Sequence, residues 1–201
     1  MHTAPIARAA HALVLVLLSS VAVTSLAVGQ DSNPALKPPR GDREAIVVFE
    51  DLQCPQCRNT APVVKEAAKT YKIPLVRHDF PLPMHNWSFD AAVIAHYFDA
   101  QSKQLGYEYR DYIFEHQPEI NPQNLRAFSD KFAAEHKVDL PFVVDPQGKL
   151  AAEVNAEKSV GMSVGINHTP TIYIVSSKPG GKPYIEVTDK SQLFQMIDAM
   201  K

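Results

Sequence analysis

The two cysteines of this chain, Cys54 and Cys57, stand where the hydrophobic pattern changes period. Upstream, EAIVVFE (residues 44–50) is a short apolar run rich in β-branched residues, and it reads as a buried strand. Downstream, Val63, Val64, Ala67, Ala68 and Tyr71 recur at helical spacing through CRNTAPVVKEAAKTYK. IPLVRHDF, residues 73–80, returns to a strand pattern. Strand, helix and strand in close succession point to a parallel βαβ unit. Pro62 has no N–H and crowds the turn before it, so a kink is expected in the helix.

The middle of the chain is helical. Trp87, Ala91, Ile94 and Phe98 make one stripe; Leu105, Tyr109, Tyr112, Ile113 and His116 make another. Leu125, Phe128, Phe132 and His136 make a third, with Asn121-Pro122 expected as its cap and first turn. Residues 147–164 fit a fourth helix less well, because Glu157 and Lys158 interrupt the face that Leu150 and Val154 begin. TPTIYIV (169–175) and YIEVT (184–188) read as strands, and the turn-rich SSKPGGKP between them predicts a hairpin. Leu193, Phe194, Ile197 and Met200 close the chain as an amphipathic helix. The expected class is α/β: β-α-β, a helical block over about residues 86–165, then β-β-α.

The N-terminus differs in kind. MHTAPIARAAH carries Arg8 and no acid, residues 12–28 carry no charge, and Ala27-Val28-Gly29 has the small side chains that precede a leader cleavage site. Residues 1–29 are expected to be a cleaved secretory leader. The alternative is an uncleaved anchor through residues 12–28, since a span needs about 20 apolar residues. Either places the folded part outside the cytoplasm. Residues 30–43 are polar and proline-rich and read as a linker, which leaves 44–201 as the domain. With 45% hydrophobic and 21% charged residues that domain can bury a core. A net charge of -2 gives no reason to expect nucleic acid as a partner.

An exported protein that relies on disulfides as staples usually has several. One bridge across a loop this short constrains the unfolded chain little, so chemistry is the better explanation of the pair. Thiol–disulfide exchange needs a thiolate and a second thiol to resolve the mixed disulfide, and helical positions three apart are neighbours. Cys54 is expected at a helix N-terminus, where free N–H groups and the helix dipole favour negative charge. Such sites lower a thiol pKa from about 8.5 to roughly 3.5–7.5. Cys54 is therefore read as the exposed nucleophile and Cys57 as the buried resolving thiol. Pro55 suits the first helical position, where its missing N–H would be unpaired anyway. The competing reading is metal binding. A structural zinc site wants four ligands; the chain offers two cysteines and eight histidines, none in a local His-x-x-x-His pair. A soft Cu(I) ion accepts two thiolates.

Three stretches carry a resemblance. VVFEDLQCPQCRNTAPVV (47–64) resembles the strand–CPxC–helix signature of the DsbA family of thiol-disulfide oxidoreductases. DFPLPMH (79–85) resembles the segment after that family's second strand, and NHTPTIYIV (167–175) its cis-proline loop and third strand. The resemblance spans residues 44–201 and implies a thioredoxin fold with an inserted helical block. It implies a cis Thr169–Pro170 bond facing the cysteines, although an arbitrary X–Pro bond is cis only about 5–6% of the time. The Thr169 backbone would then pair with an extended substrate chain. It further implies an enzyme that acts by thiol–disulfide exchange on reduced or misoxidised exported proteins. A quinone-linked membrane thiol oxidase would recycle it. No cofactor is expected, and with no separate dimerisation domain in the sequence a monomer is expected.

Two departures bear on those expectations. Gln56 stands where strongly oxidising members of the family carry histidine, which leaves a reductase or isomerase open. A non-enzymatic peptide-binding or Cu-binding protein is the third reading. The acid that thioredoxin-like proteins often place six residues before the first cysteine is here Val48. Glu50, on the same strand face, is the candidate proton relay; the alternative for Glu50 and Asp51 is a solvated strand end. His85 and His168 are candidates for tuning Cys54, since a nearby imidazolium favours a thiolate. His96, His116 and His136 fall on helical stripes and read as packing residues, as do Trp87, Phe89, Tyr97 and Phe98, whose alternative role is to line a peptide groove.

Overall fold

The computed structural model describes residues 1–2 and 33–200. The chain divides into two units, Met1–Asp31 and Ser32–Lys201, and the second is the folded domain. The leader or anchor expected for residues 1–29 lies outside the described residues, Met1 and His2 apart.

The core strand is β1 (Glu44–Glu50), whose side chains from Ala45 onward are all buried. It pairs in parallel with β2 (Leu75–Asp79) and antiparallel with β3 (Thr171–Ser176), which pairs with β4 (Tyr184–Glu186). The strand order is β2-β1-β3-β4. A strand buried on both faces needs apolar residues at every position, which explains why the β1 segment is a continuous run rather than an alternating one. Ile46 and Val48 face α1 (Pro55–Tyr71) and α6 (Leu193–Met200), packing with Val64, Ala67, Leu193 and Ile197. Ala45, Val47 and Phe49 face the other way, onto Phe80, Ile166 and Tyr173.

The helical block comprises α2 (Ser88–Gln101), α3 (Lys103–His116), α4 (Leu125–Glu135) and α5 (Lys149–Ser163). Phe98, Tyr109 and Phe132 pack in its centre in tilted and edge-to-face pairs with ring centroids 4.8–5.2 Å apart. Their cluster is continuous with Leu52, Cys54, Cys57 and Ala61, so the cysteines lie where the block meets the first turn of α1. Trp87 and Phe98 are core residues of this cluster, with Tyr97 partly buried against it.

Several elements depart from expectation. The helix runs unbroken through Pro62. Pro62 and Arg58, four residues back, are both exposed, so water can take the carbonyl that a proline leaves unpaired. Asn121 does not cap α4: its side chain accepts from the N–H groups of Gln123 and Asn124 in a separate turn, and the helix begins at Leu125. The fourth helix is a full one, and Glu157 belongs to its inner side. β2 is an edge strand, and the Asp79 N–H on its open side donates to Glu157 Oε2 at 2.6 Å, satisfying a buried backbone donor. Gly161 lets α5 approach the sheet, since a Cβ there would lie 2.6 Å from the Phe80 ring.

Within the stretch read as linker, Pro34–Leu36 form a 3-10 turn packed on the domain. Leu36 is buried beside Phe80 and Ile166, and Asn33 donates to Ser163 Oγ at 2.8 Å. Burying one leucine side chain gains about 1.5–3 kcal/mol, enough to dock a polar segment that carries it. No helix among the described residues is long and apolar enough to cross a membrane.

Candidate active site

The local sequence places both sulfurs. β1 ends at Glu50, the chain turns, and Cys54 takes the N-cap of α1 with Pro55 at the first helical position. Cys57 is one turn inside. Neither cysteine is disulfide-bonded. Cys54 is 6% exposed and Cys57 2%, so the contrast of an exposed and a buried thiol holds only weakly. Leu52, Trp87 and the Thr169 loop crowd the first sulfur as well.

Their protonation differs far more than their exposure. Cys54 is lowered from 9.0 to about 5, chiefly because the Cys57 thiol donates to it. Burial opposes the shift; the Thr169 side chain and the N–H groups of Cys57 and Gln56 reinforce it. Cys57 is pushed up, first by burial and then by its bond to Cys54 and the nearby negative charges of Cys54 and Glu50. One thiolate and one thiol share a site, and the proton stays on Cys57.

The Thr169–Pro170 peptide bond is cis, and the Cys54 thiol lies 3.4 Å from the Thr169 carbonyl oxygen. The sulfur therefore faces a backbone segment just outside β3. Gln56 presents its backbone N–H to Cys54, and its side chain is exposed.

Glu50 and Asp51 are not a solvated strand end: they are 2% and 1% exposed. Glu50 accepts from Arg77 Nε at 2.6 Å, and Arg77 Nη1 also reaches Asp111 Oδ1 at 3.0 Å. Burial raises the Glu50 carboxyl pKa, and Arg77 only partly offsets it. Asp111 pairs with Lys65 at the rim of a cleft of about 420 Å³ between α1 and α3. A chain of charged groups thus links the floor of the site to solvent. Asp51 accepts from the N–H groups of Gln53 and Leu82 and from Ser88 Oγ, and bonds His85 Nδ1, all within 2.7 Å. Its own N–H donates to Cys57 Sγ at 3.4 Å.

His85 is therefore brought to Asp51, and His168 is exposed with its Nδ1 on Asn167. Neither is among the main groups that shift Cys54. Arg77, Asp51 and Gln117 were missed. Gln117, beyond the end of α3, donates to the carbonyls of Leu52 and Cys54 at 2.8 and 3.1 Å and holds the active-site turn. A lone arginine inside the apolar run IPLVRHDF was the available signal for Arg77; for Gln117 no local signal exists.

A family model described as thioredoxin matches residues 40–199. The fold is similar to that of the thiol-disulfide exchange protein alpha-DsbA2 from Wolbachia pipientis: TM-score 0.65, 17% identity, 82% of this chain and 86% of that one. It is also similar to Pseudomonas aeruginosa DsbA2, with TM-score 0.57, 21% identity, and 79% and 89% of the two chains covered. A periplasmic thioredoxin-like protein from Salmonella enterica serovar Typhimurium gives TM-score 0.62 at 16% identity, covering 84% and 92%. Among curated proteins, a Na(+)/H(+) antiporter, NhaA 3 of Salinispora tropica, is 28% identical over 155 residues. That match takes in 73% of this chain but only 23% of the antiporter.

Proposed function

The chain belongs to the thioredoxin family, and on that premise we propose that it is an extracytoplasmic thiol-disulfide oxidoreductase that donates its Cys54–Cys57 disulfide to exported proteins. The observation that carries the direction is the acidic Cys54 beside a firmly protonated Cys57. A stabilised thiolate favours the reduced form, so the disulfide is the form that gives itself away.

In the forward reaction a substrate thiolate attacks Cys54 Sγ, the Cys54–Cys57 bond breaks, and a mixed disulfide forms. Cys57 departs as a poor thiolate and needs a proton. Glu50, raised by burial and joined through Arg77 and Asp111 to the α1–α3 cleft, is the proposed donor, acting through water. A second substrate thiolate then attacks the substrate sulfur of the mixed disulfide and expels Cys54 as thiolate. The substrate has lost two electrons and two protons; one proton rests on Cys57 and one enters solvent. The cis Thr169–Pro170 segment is proposed to hold the substrate backbone in strand fashion beside Cys54. Reoxidation falls to a quinone-linked membrane thiol oxidase, and the enzyme acts as a monomer.

The test is oxidation of a reduced substrate protein, with Cys54→Ser as control. A wild type no faster than the control would falsify the reading. A reduction potential near -270 mV rather than nearer -120 mV would reverse the direction to a reductase.

A further inference from the structure

A second buried polar cluster lies behind β2, away from the cysteines. Asp79 of β2 is 1% exposed, and Arg110 Nη2 of α3 holds its Oδ2 at 2.6 Å. Arg110 also pairs with Asp99 of α2 at 3.0 Å. His96 of α2 is 4% exposed. Its Nδ1 lies 3.0 Å from Glu153 Oε2, and its Nε2 lies 3.3 Å from Asp79 Oδ2 and 3.9 Å from Glu157 Oε2. Both Asp79 Oδ1 and His96 Nε2 are buried without a hydrogen-bond partner. So is His78 Nδ1, which lies 3.9 Å from Glu157 Oε1.

Arg110 pairs with Asp79 and Asp99, whereas Glu157 meets only the Asp79 N–H and, at 3.9 Å, the His96 and His78 rings. Lys103 reaches Asp99 and Glu153 reaches His96 only from largely exposed positions.

We propose that Asp79, His96 and Glu157 form a binding site for a first-row divalent cation, with Zn²⁺ as the best-suited ion. One ligand atom from each lies within 4.8 Å of the others. Ligands 2.0–2.1 Å from a tetrahedral zinc stand about 3.3 Å apart, which is the His96–Asp79 separation; Glu157 Oε2, 3.9 Å from His96 Nε2, would have to move closer. Glu153 supplies what metal-bound histidines usually have: a carboxylate accepting from the far ring nitrogen, which leaves Nε2 with its lone pair toward the ion. Imidazole plus two carboxylates suits zinc better than the softer or harder ions. The ion would pin α5 to β2 and α2, and α5 leads into the Thr169 loop. The role is structural, and the inference stands apart from the thiol chemistry.

The test uses the full chain carrying Cys54→Ser and Cys57→Ser, so that the thiols do not compete for metal. Calorimetry with Zn²⁺ is expected to show one equivalent bound, and Co²⁺ to give the visible bands of a site with nitrogen and oxygen ligands. Adding His96→Ala or Glu157→Gln should weaken binding by about tenfold or more. Glu157→Gln keeps an oxygen for the Asp79 N–H, so it tests the site without removing that bond. No Zn²⁺ uptake at millimolar concentration overturns the proposal. So does uptake that neither variant changes, or an NMR titration showing His96 as imidazolium at neutral pH in a protein that takes up no zinc.

Discussion

On the proposed reading Cys54 carries the chemistry because a neighbouring thiol and two backbone N–H groups converge on its sulfur. The thiolate absorbance near 240 nm should therefore titrate with a midpoint near pH 5. Cys57→Ala removes the largest contributor and should move that midpoint up toward 9.0. Proton counting adds a second consequence. Above pH 5 reduction of the pair takes up one proton with two electrons, and below it two. The potential should fall by about 30 mV per pH unit above the break and about 59 mV below it; a straight line through pH 5 would remove the thiolate assignment. Glu50 raises a different question. Glu50→Leu leaves Arg77 buried beside Asp111 with its main partner gone. Removing one member of a buried pair costs about 3–5 kcal/mol, which denaturant unfolding would register. Glu50→Gln, which still accepts a hydrogen bond, should fold better and instead slow the step in which Cys57 gains its proton.

Among the elements, α5 has the most specific seat. It approaches the sheet where Gly161 leaves room for the Phe80 and Phe49 rings, and Glu157 closes the open edge of β2. Gly161→Ala would drive a methyl to within 2.6–3.1 Å of those rings. Overpacking of this kind costs about 1–3 kcal/mol, so the thermal midpoint should drop despite alanine's better helix propensity. Because Ser163 ends α5 six positions before Thr169, the same substitution should also disturb the Cys54 titration. An unchanged Cys54 midpoint in a destabilised variant would show that α5 and the Thr169 loop are mechanically separate. At the junction of α2 and α3, Ser102 Oγ accepts the Leu105 N–H. Its loss in Ser102→Ala should cost about 1 kcal/mol and leave the thiol titration alone.

Taken as one molecule, the domain couples folding to the redox state. The folded-state pKa of Cys54 lies below its ordinary value, so Cys54 gives the reduced protein stability that grows from about pH 5 up to pH 9 and is lost as pH falls through about 5; above pH 9 the raised Cys57 thiol takes stability back. The disulfide form has no thiolate and gains none of it. The reduced protein should therefore melt at a higher temperature than the oxidised one at pH 7, and the gap should narrow steadily toward pH 5. Calorimetry of both forms across that range checks it, and equal midpoints at pH 7 would contradict the proposed direction of electron flow. Glu50 also feels Asp79 and Arg110 across the β1–β2 pair, so the buried cluster behind β2 and the thiol site are not electrically isolated.

Much of the fold is written locally. The continuous apolar run of β1, the change of period at Cys54, the Gly-Gly hairpin and the stripes of α2 to α4 each come from the spacing of side chains along a few turns or pleats, and the structure has these elements. Cys54 at the head of α1 and Cys57 one turn below it obey the same local rule. What the chain order did not disclose is which distant groups meet. Glu50 and Arg77 are 27 positions apart, Asp79 and Glu157 78, Cys54 and the Thr169 carbonyl 115. Glu157 looked like a fault in a helical face because its partner is an edge-strand N–H that no periodicity within α5 can reveal. Asp51 looked like a solvated strand end because its four donors come from its own turn and from the segment after β2. Periodicity reports which side of an element is buried; the identity of the partner, and so the charge and proton chemistry of the site, exists only once the sheet and the helical block have closed around it.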